Sequence, residues 1–70
     1  MPIIVDRRAK VEVIASGLKT GWSSWATVQA YSDASDKTVA SLARAQVLAD
    51  LGAKGVAVSS LKVTEIEPLD

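Results

Sequence analysis

Residues 37–51 run without glycine, proline or an aromatic side chain, and both ends of the run are marked. Before it stands the polar cluster Tyr31-Ser32-Asp33-Ala34-Ser35-Asp36, and after it Gly52-Ala53-Lys54-Gly55. This is one helix with its start and stop signals attached, and the rest of the chain has to fit around it. Asp33 is the leading N-cap, with Ser32 and Ser35 as alternatives, because a side-chain oxygen there accepts from the unpaired N–H groups of the first turn. Asp36 favours the positive end of the helix. Leu51-Gly52 reads as the stop, since glycine adopts the left-handed conformation that closes a helix.

Val39, Ala43, Val47 and Leu51 recur at a spacing of four, with Ala40 beside them, and form one buried stripe. Leu42 and Leu48 fall on opposite flanks of it. Either they are partly buried at the margins of a sheet, or one of them meets a second subunit.

The flanking segments read as strands. From Ile3 to Ser16, residues Ile3, Val5, Ala9, Val11, Val13 and Ala15 share one parity, interrupted by Arg7. Asp6, Arg8, Lys10 and Glu12 share the other, so one strand face is dry and one is wet. Ile4 and Ile14 depart from the polar parity at its two ends. Gly17-Leu18-Lys19-Thr20-Gly21 is a hairpin loop. In the second strand, Ala26, Val28 and Ala30 share one face, and Trp25, Thr27, Gln29 and Tyr31 share the other. Small residues on the first face let an alanine-rich helix approach, which turns Trp25 and Tyr31 away from it. In the third strand Leu61 and Val63 share a face, with Val58, Lys62, Thr64 and Ile66 opposite. Pro68 ends pairing, leaving Pro68-Leu69-Asp70 as a tail.

The chain is therefore expected to be α+β, with element order β-β-α-β and residues 1–70 in a single domain. Strands are predicted near 3–15, 23–31 and 56–66, with the helix near 34–51. A hairpin followed by a right-handed crossover places the third strand beside the first, giving an antiparallel sheet of order 2-1-3 with the helix on one face. Strands 2 and 3 are both edges, which invite pairing with another chain.

The 70 residues include no cysteine and no histidine. Disulfides, cysteine-based metal sites and the commonest general base are thereby removed. A domain this small buries little core. With 49% hydrophobic residues and no staple, association with other copies is the remaining common route to stability. The formal net charge is zero, which does not indicate a strongly electrostatic nucleic-acid or membrane partner. No apolar run suits a membrane span and no signal-peptide pattern opens the chain, so a cytoplasmic or virion-associated protein is expected.

Three constellations invite a chemical reading. Ser32-Asp33-Ala34-Ser35-Asp36 offers oxygen ligands to a hard cation, but lacks the glycine and distal glutamate of a calcium loop, and helix capping explains it. No metal site, catalytic residue or cofactor is expected. Arg7, Arg8 and Lys10 form a basic cluster beside Trp25 and Tyr31, which is the make-up of a base-stacking platform with phosphate contacts. Against this, Asp6 and Glu12 flank the cluster, as on an ordinary solvated strand. Trp22-Ser23-Ser24-Trp25 sets two large aromatics in one short segment, which suits a ligand site or, more often, the anchor of a core or a subunit contact.

Some of these segments resemble known families. The layout from Trp22 to Pro68 is similar to archaeal ribosomal protein LX. The shared features are an aromatic second strand, the polar start Ser32-Asp33, Leu51-Gly52 closing the helix, and the final strand Ser60-Leu61-Lys62-Val63-Thr64-Glu65-Ile66-Glu67. That resemblance implies an RNA-binding or ribosome-associated domain, in a family markedly more basic than this chain. Ser35 to Leu51 resembles the C-terminal helix of double-stranded-RNA-binding domains. Met1-Pro2-Ile3-Ile4 resembles the opening of tautomerases that use an N-terminal proline amine, which implies Pro2 as a base after methionine removal.

The leading expectation is a small non-catalytic structural or interaction module that forms a homo-oligomer, such as an accessory protein of a phage or other mobile element. Its contacts with a copy or another protein partner would be Trp22, Trp25, Tyr31, Leu42 and Leu48. The first alternative is an RNA-binding domain using Arg7, Arg8 and Lys10. The second is a proline-amine enzyme using Pro2.

Overall fold

The computed structural model describes residues 1–68, and of the expected tail Leu69 and Asp70 lie outside them. The elements are β1 (Ile4–Ala15), β2 (Trp22–Tyr31), α1 (Asp36–Ala53) and β3 (Val58–Ile66). The three strands form one antiparallel sheet in the order β2-β1-β3, with α1 on one face. The α+β, β-β-α-β layout expected from the sequence is therefore the layout found.

The hairpin is closed by a turn in which the Leu18 N–H donates to the Ala15 carbonyl at 3.1 Å. Its other end depends on Gly21. A Cβ there would overlap the Val13 carbonyl across the pair, and backbone cannot move aside as a side chain can. The absence of a side chain at Gly21 lets β2 enter the ladder beside Val13, its Trp22 partner.

The helix starts and ends later than expected. Ser35 is the N-cap, not Asp33: its Oγ accepts from the Thr38 N–H at 3.2 Å. Asp33 is two residues too early, because the Ala34 N–H still bonds back to the Tyr31 carbonyl at 2.9 Å in a turn. At the other end α1 runs through Gly52, and Gly55 rather than Gly52 has the positive φ, 77°. The Val56 N–H reaches the Leu51 carbonyl at 2.8 Å and the Gly55 N–H reaches Gly52 at 3.1 Å, the paired bonds of a left-handed helix end.

The core lies between α1 and the sheet. Ala9, Val11, Val13, Ala26, Val28, Ala30, Val39 and Ala43 are buried together. Val47, Leu51, Leu61 and Val63, expected with them, pack against this cluster and stay half-buried. The wholly buried side chains are no larger than valine, so the helix sits close to a thin core. The molecule is correspondingly long, 45 × 21 × 15 Å, with a radius of gyration of 12.8 Å against about 11 Å for a compact chain of this length. Two long sheet edges result.

β3 corrects the expected strand faces. Its register against β1 shifts twice, between Lys10 and Val11 and between Ile14 and Ala15, leaving Thr64 and Ser59 without partners. Each extra residue reverses the side-chain alternation. Val58 and Ile66, expected opposite Leu61 and Val63, therefore join them: the four stand beside Ala15, Val13, Val11 and Ala9 on the helix side. The bulge residues bond back to β1 with their hydroxyls. Ser59 Oγ donates to the Ile14 carbonyl at 3.0 Å and Thr64 Oγ1 to the Lys10 carbonyl at 3.4 Å.

Candidate functional site

The face of the sheet away from α1 is built by alternation. β1 contributes Ile4, Asp6, Arg8, Lys10, Glu12 and Ile14, and β2 contributes Trp25, Thr27, Gln29 and Tyr31. Lys62 and Glu65 stand on β3 beside Glu12 and Lys10. The charges are interleaved, and four of them form two pairs. Arg8 meets Glu67 at 3.1 Å and Lys62 meets Glu12 at 3.8 Å. The Arg8 guanidinium also lies 4.9 Å from the centroid of the Trp25 ring, within cation–π range. Counting Glu67, this face carries three cations and four carboxylates.

Arg7 does not belong to that face. It points toward the helix and is 6% exposed. Its Nη2 lies 3.6 Å from the Asp36 carboxylate and donates to the Glu67 carbonyl at 3.4 Å, while its buried Nε has no partner among the described residues. The expected cluster of Arg7, Arg8 and Lys10 is thus split by strand parity, because neighbouring residues of a strand point to opposite sides.

The polar cluster before α1 is taken up by the fold. Ser32 Oγ accepts from the Ile3 N–H at 3.2 Å, Ser35 caps the helix, and Asp36 faces Arg7. Among the described residues no group of three or more metal-ligating side chains is gathered in one place. Pro2 is exposed ahead of β1. No helix among the described residues is long and apolar enough to cross a membrane.

The apolar residues expected at a contact are distributed along β2. Trp25 is 41% exposed and Tyr31 58%, both on the face away from α1. Trp22 has the opposite parity, beside Val13, and reaches the edge groove below the end of α1 that Trp25 also lines. Tyr31 stands directly across from Ile4. With Leu42, Ala30, Ala34 and Thr38 these two line a second groove. Leu48 is separated from all of them. It lies on the β3 flank of α1, near Arg44, Val58 and Leu61. Ile4 is the member of this surface that sequence reasoning passed over, and its break from the polar parity of β1 was the available signal.

The outer edge of β2 completes the site. The Ser32 N–H bonds to the Ile3 carbonyl, while the Arg8 carbonyl accepts from the Glu67 N–H on the β3 side. Antiparallel alternation then turns the even residues of β2 toward β1 and the backbone groups of Trp25, Thr27, Gln29 and Tyr31 outward. Gln46 Nε2 donates to the outward Thr27 carbonyl at 2.9 Å, and Ala34 occupies that of Tyr31. No partner for the outward N–H groups of Trp25, Thr27 and Gln29 is present among the described residues.

No family model, no curated protein and no solved structure matches this chain.

Proposed function

We propose that this protein is a non-catalytic module that self-associates through the β2 side of its sheet. The observation that carries this reading is the make-up of β2. Trp22, Trp25 and Tyr31 are all partly exposed on one edge strand that bears no charged residue, and Ile4 and Leu42 extend the apolar surface. A core that fully buries nothing larger than valine has little stability to spare. Covering these aromatics adds about 25 cal/mol for each Å² of apolar surface removed from water.

RNA binding is the competing reading, favoured by the stacking of Arg8 on Trp25. The burial of Arg7 and the excess of carboxylates on the open face weigh against it. One variant separates the two. Trp25→Ser is expected to move the protein toward monomer in sedimentation at matched concentration. A variant that keeps its mass while losing affinity for single-stranded RNA would replace the self-association reading with the RNA one.

A further inference from the structure

Resting on the reading that the chain self-associates, we propose that the contact is β2 paired antiparallel with β2 of a second copy, about a two-fold axis at Val28. Two three-stranded sheets then join into one sheet of six strands.

The occupant follows from what β2 lacks. Edge strands are commonly protected by charges, prolines, bulges or short length. β2 is ten residues long, pairs with β1 without a shift of register, and contains no proline and no charged side chain. A strand without charge can lie against its own copy with no like-charge contact. β3 has two register shifts and carries Lys62 and Glu65, so the same pairing is obstructed there.

The position of the axis follows from the outward backbone groups. Those groups belong to Trp25, Thr27, Gln29 and Tyr31, so ladder bonds form only between members of this set. An axis at Thr27 sets Trp25 against Gln29 of the second copy and Tyr31 against Ser23. An axis at Val28 sets Thr27 against Gln29 and Trp25 against Tyr31, and symmetry repeats both pairs. Only this second arrangement places aromatic on aromatic at both ends, a favourable cross-strand pair. On the helix side it sets Val28 against Val28 and Ala26 against Ala30, small residues that pack without obstruction.

Two details of the single chain fit this arrangement. Gln46 uses one lone pair of the Thr27 carbonyl, and a carbonyl has a second for the Gln29 N–H of the other copy. The two β1 strands would lie three strand spacings apart, about 14 Å. Helices lying over them would be wider apart than the usual helix contact of about 8–10 Å. Leu42, 40% exposed on the β2 flank of α1, projects toward that gap.

The test uses the full chain and three variants. Thr27→Pro removes an outward N–H and leaves the β1–β2 ladder bonds in place, so it should fold and sediment as a monomer where the wild type is a dimer. Val28→Cys introduces the only thiol in the chain. At the axis it would meet its copy in a non-hydrogen-bonded pair, about 4.5 Å between Cα atoms, which suits a disulfide. Mild oxidation should convert it to a covalent dimer while Val63→Cys on β3 stays a single chain. A wild-type oligomer whose mass survives Thr27→Pro and whose Val28→Cys form does not crosslink overturns the β2 pairing and leaves self-association standing. A wild type that stays monomeric at millimolar concentration overturns both. If Thr27→Pro does not fold, the crosslink alone decides.

Discussion

β3 leaves the regular ladder twice, at Ser59 and Thr64, and carries Lys62 and Glu65. β2 runs from Trp22 to Tyr31 with no shift of register and no charged side chain. Both are edges of the same sheet, laid against the same central strand. The difference teaches how a small domain divides its work. β3 satisfies its own irregularities, with the Ser59 and Thr64 hydroxyls turned inward to β1 carbonyls. β2 turns the N–H groups of Trp25, Thr27 and Gln29 outward without partners among the described residues, and sets Trp25 and Tyr31 on the face away from α1. One edge is irregular and charged, and the other is regular and uncharged.

The largest effect is expected at the residue that admits β2 to the sheet. Gly21→Ala places a methyl group against the Val13 carbonyl, and a loss of about 3 kcal/mol is expected in urea unfolding, at the upper end of overpacking changes. Gly52→Ala is the matching control. Its Cβ meets open space inside α1, so a gain of up to about 1 kcal/mol is expected. Equal effects at the two sites would remove the steric basis of the hairpin.

A second prediction erases the contrast itself. Deleting Ser59 and Thr64 together makes the β3 register continuous: Val58 and Ser60 become neighbours opposite Ala15 and Ile14, and Val63 and Glu65 opposite Val11 and Lys10. Val58, Leu61, Val63 and Ile66 keep their side of the sheet. The shortened chain is expected to fold and to form species larger than those of the wild type in sedimentation, because it now has two regular edges. An unchanged mass would mean that the bulges do not protect β3. The smallest effect is that of one bulge hydroxyl. Ser59→Ala removes the hydroxyl bond to the Ile14 carbonyl, and a loss of about 1 kcal/mol is expected in the same unfolding measurement.

These contrasts were unevenly legible in the sequence. The hairpin, the crossover and the sheet order followed from alternation and glycine placement, and the outward turn of Trp25 and Tyr31 followed from β2 being regular. The faces of β3 depart from alternation because a strict period of two cannot describe a strand with bulges. The apolar series Val58, Leu61, Val63, Ile66 has spacings of three, two and three, and each three marks a bulge at a hydroxyl residue. Arg7 is adjacent to Arg8 in sequence, but its parity places it with Val5 and Ala9 rather than with the basic cluster. The helix end was set at Gly52 because glycine often stops helices, but backbone conformation selected Gly55. Leu42 and Leu48 were recognised as surplus, and which of them lies near β2 depended on how the helix sits across the sheet, which periodicity alone does not specify.

The most direct test is amide hydrogen exchange of the wild type, residue by residue, at millimolar and at low micromolar concentration. Ala26, Val28 and Ala30, bonded toward β1, should be protected at both. Trp25, Thr27 and Gln29 should exchange freely when dilute and become protected when concentrated. Leu61, Val63 and Ile66, which face outward on β3, should remain unprotected throughout. The expected pattern alternates along β2, depends on concentration and is confined to that strand. Exchange at Trp25, Thr27 and Gln29 that ignores concentration, or new protection appearing on β3 instead, would contradict it.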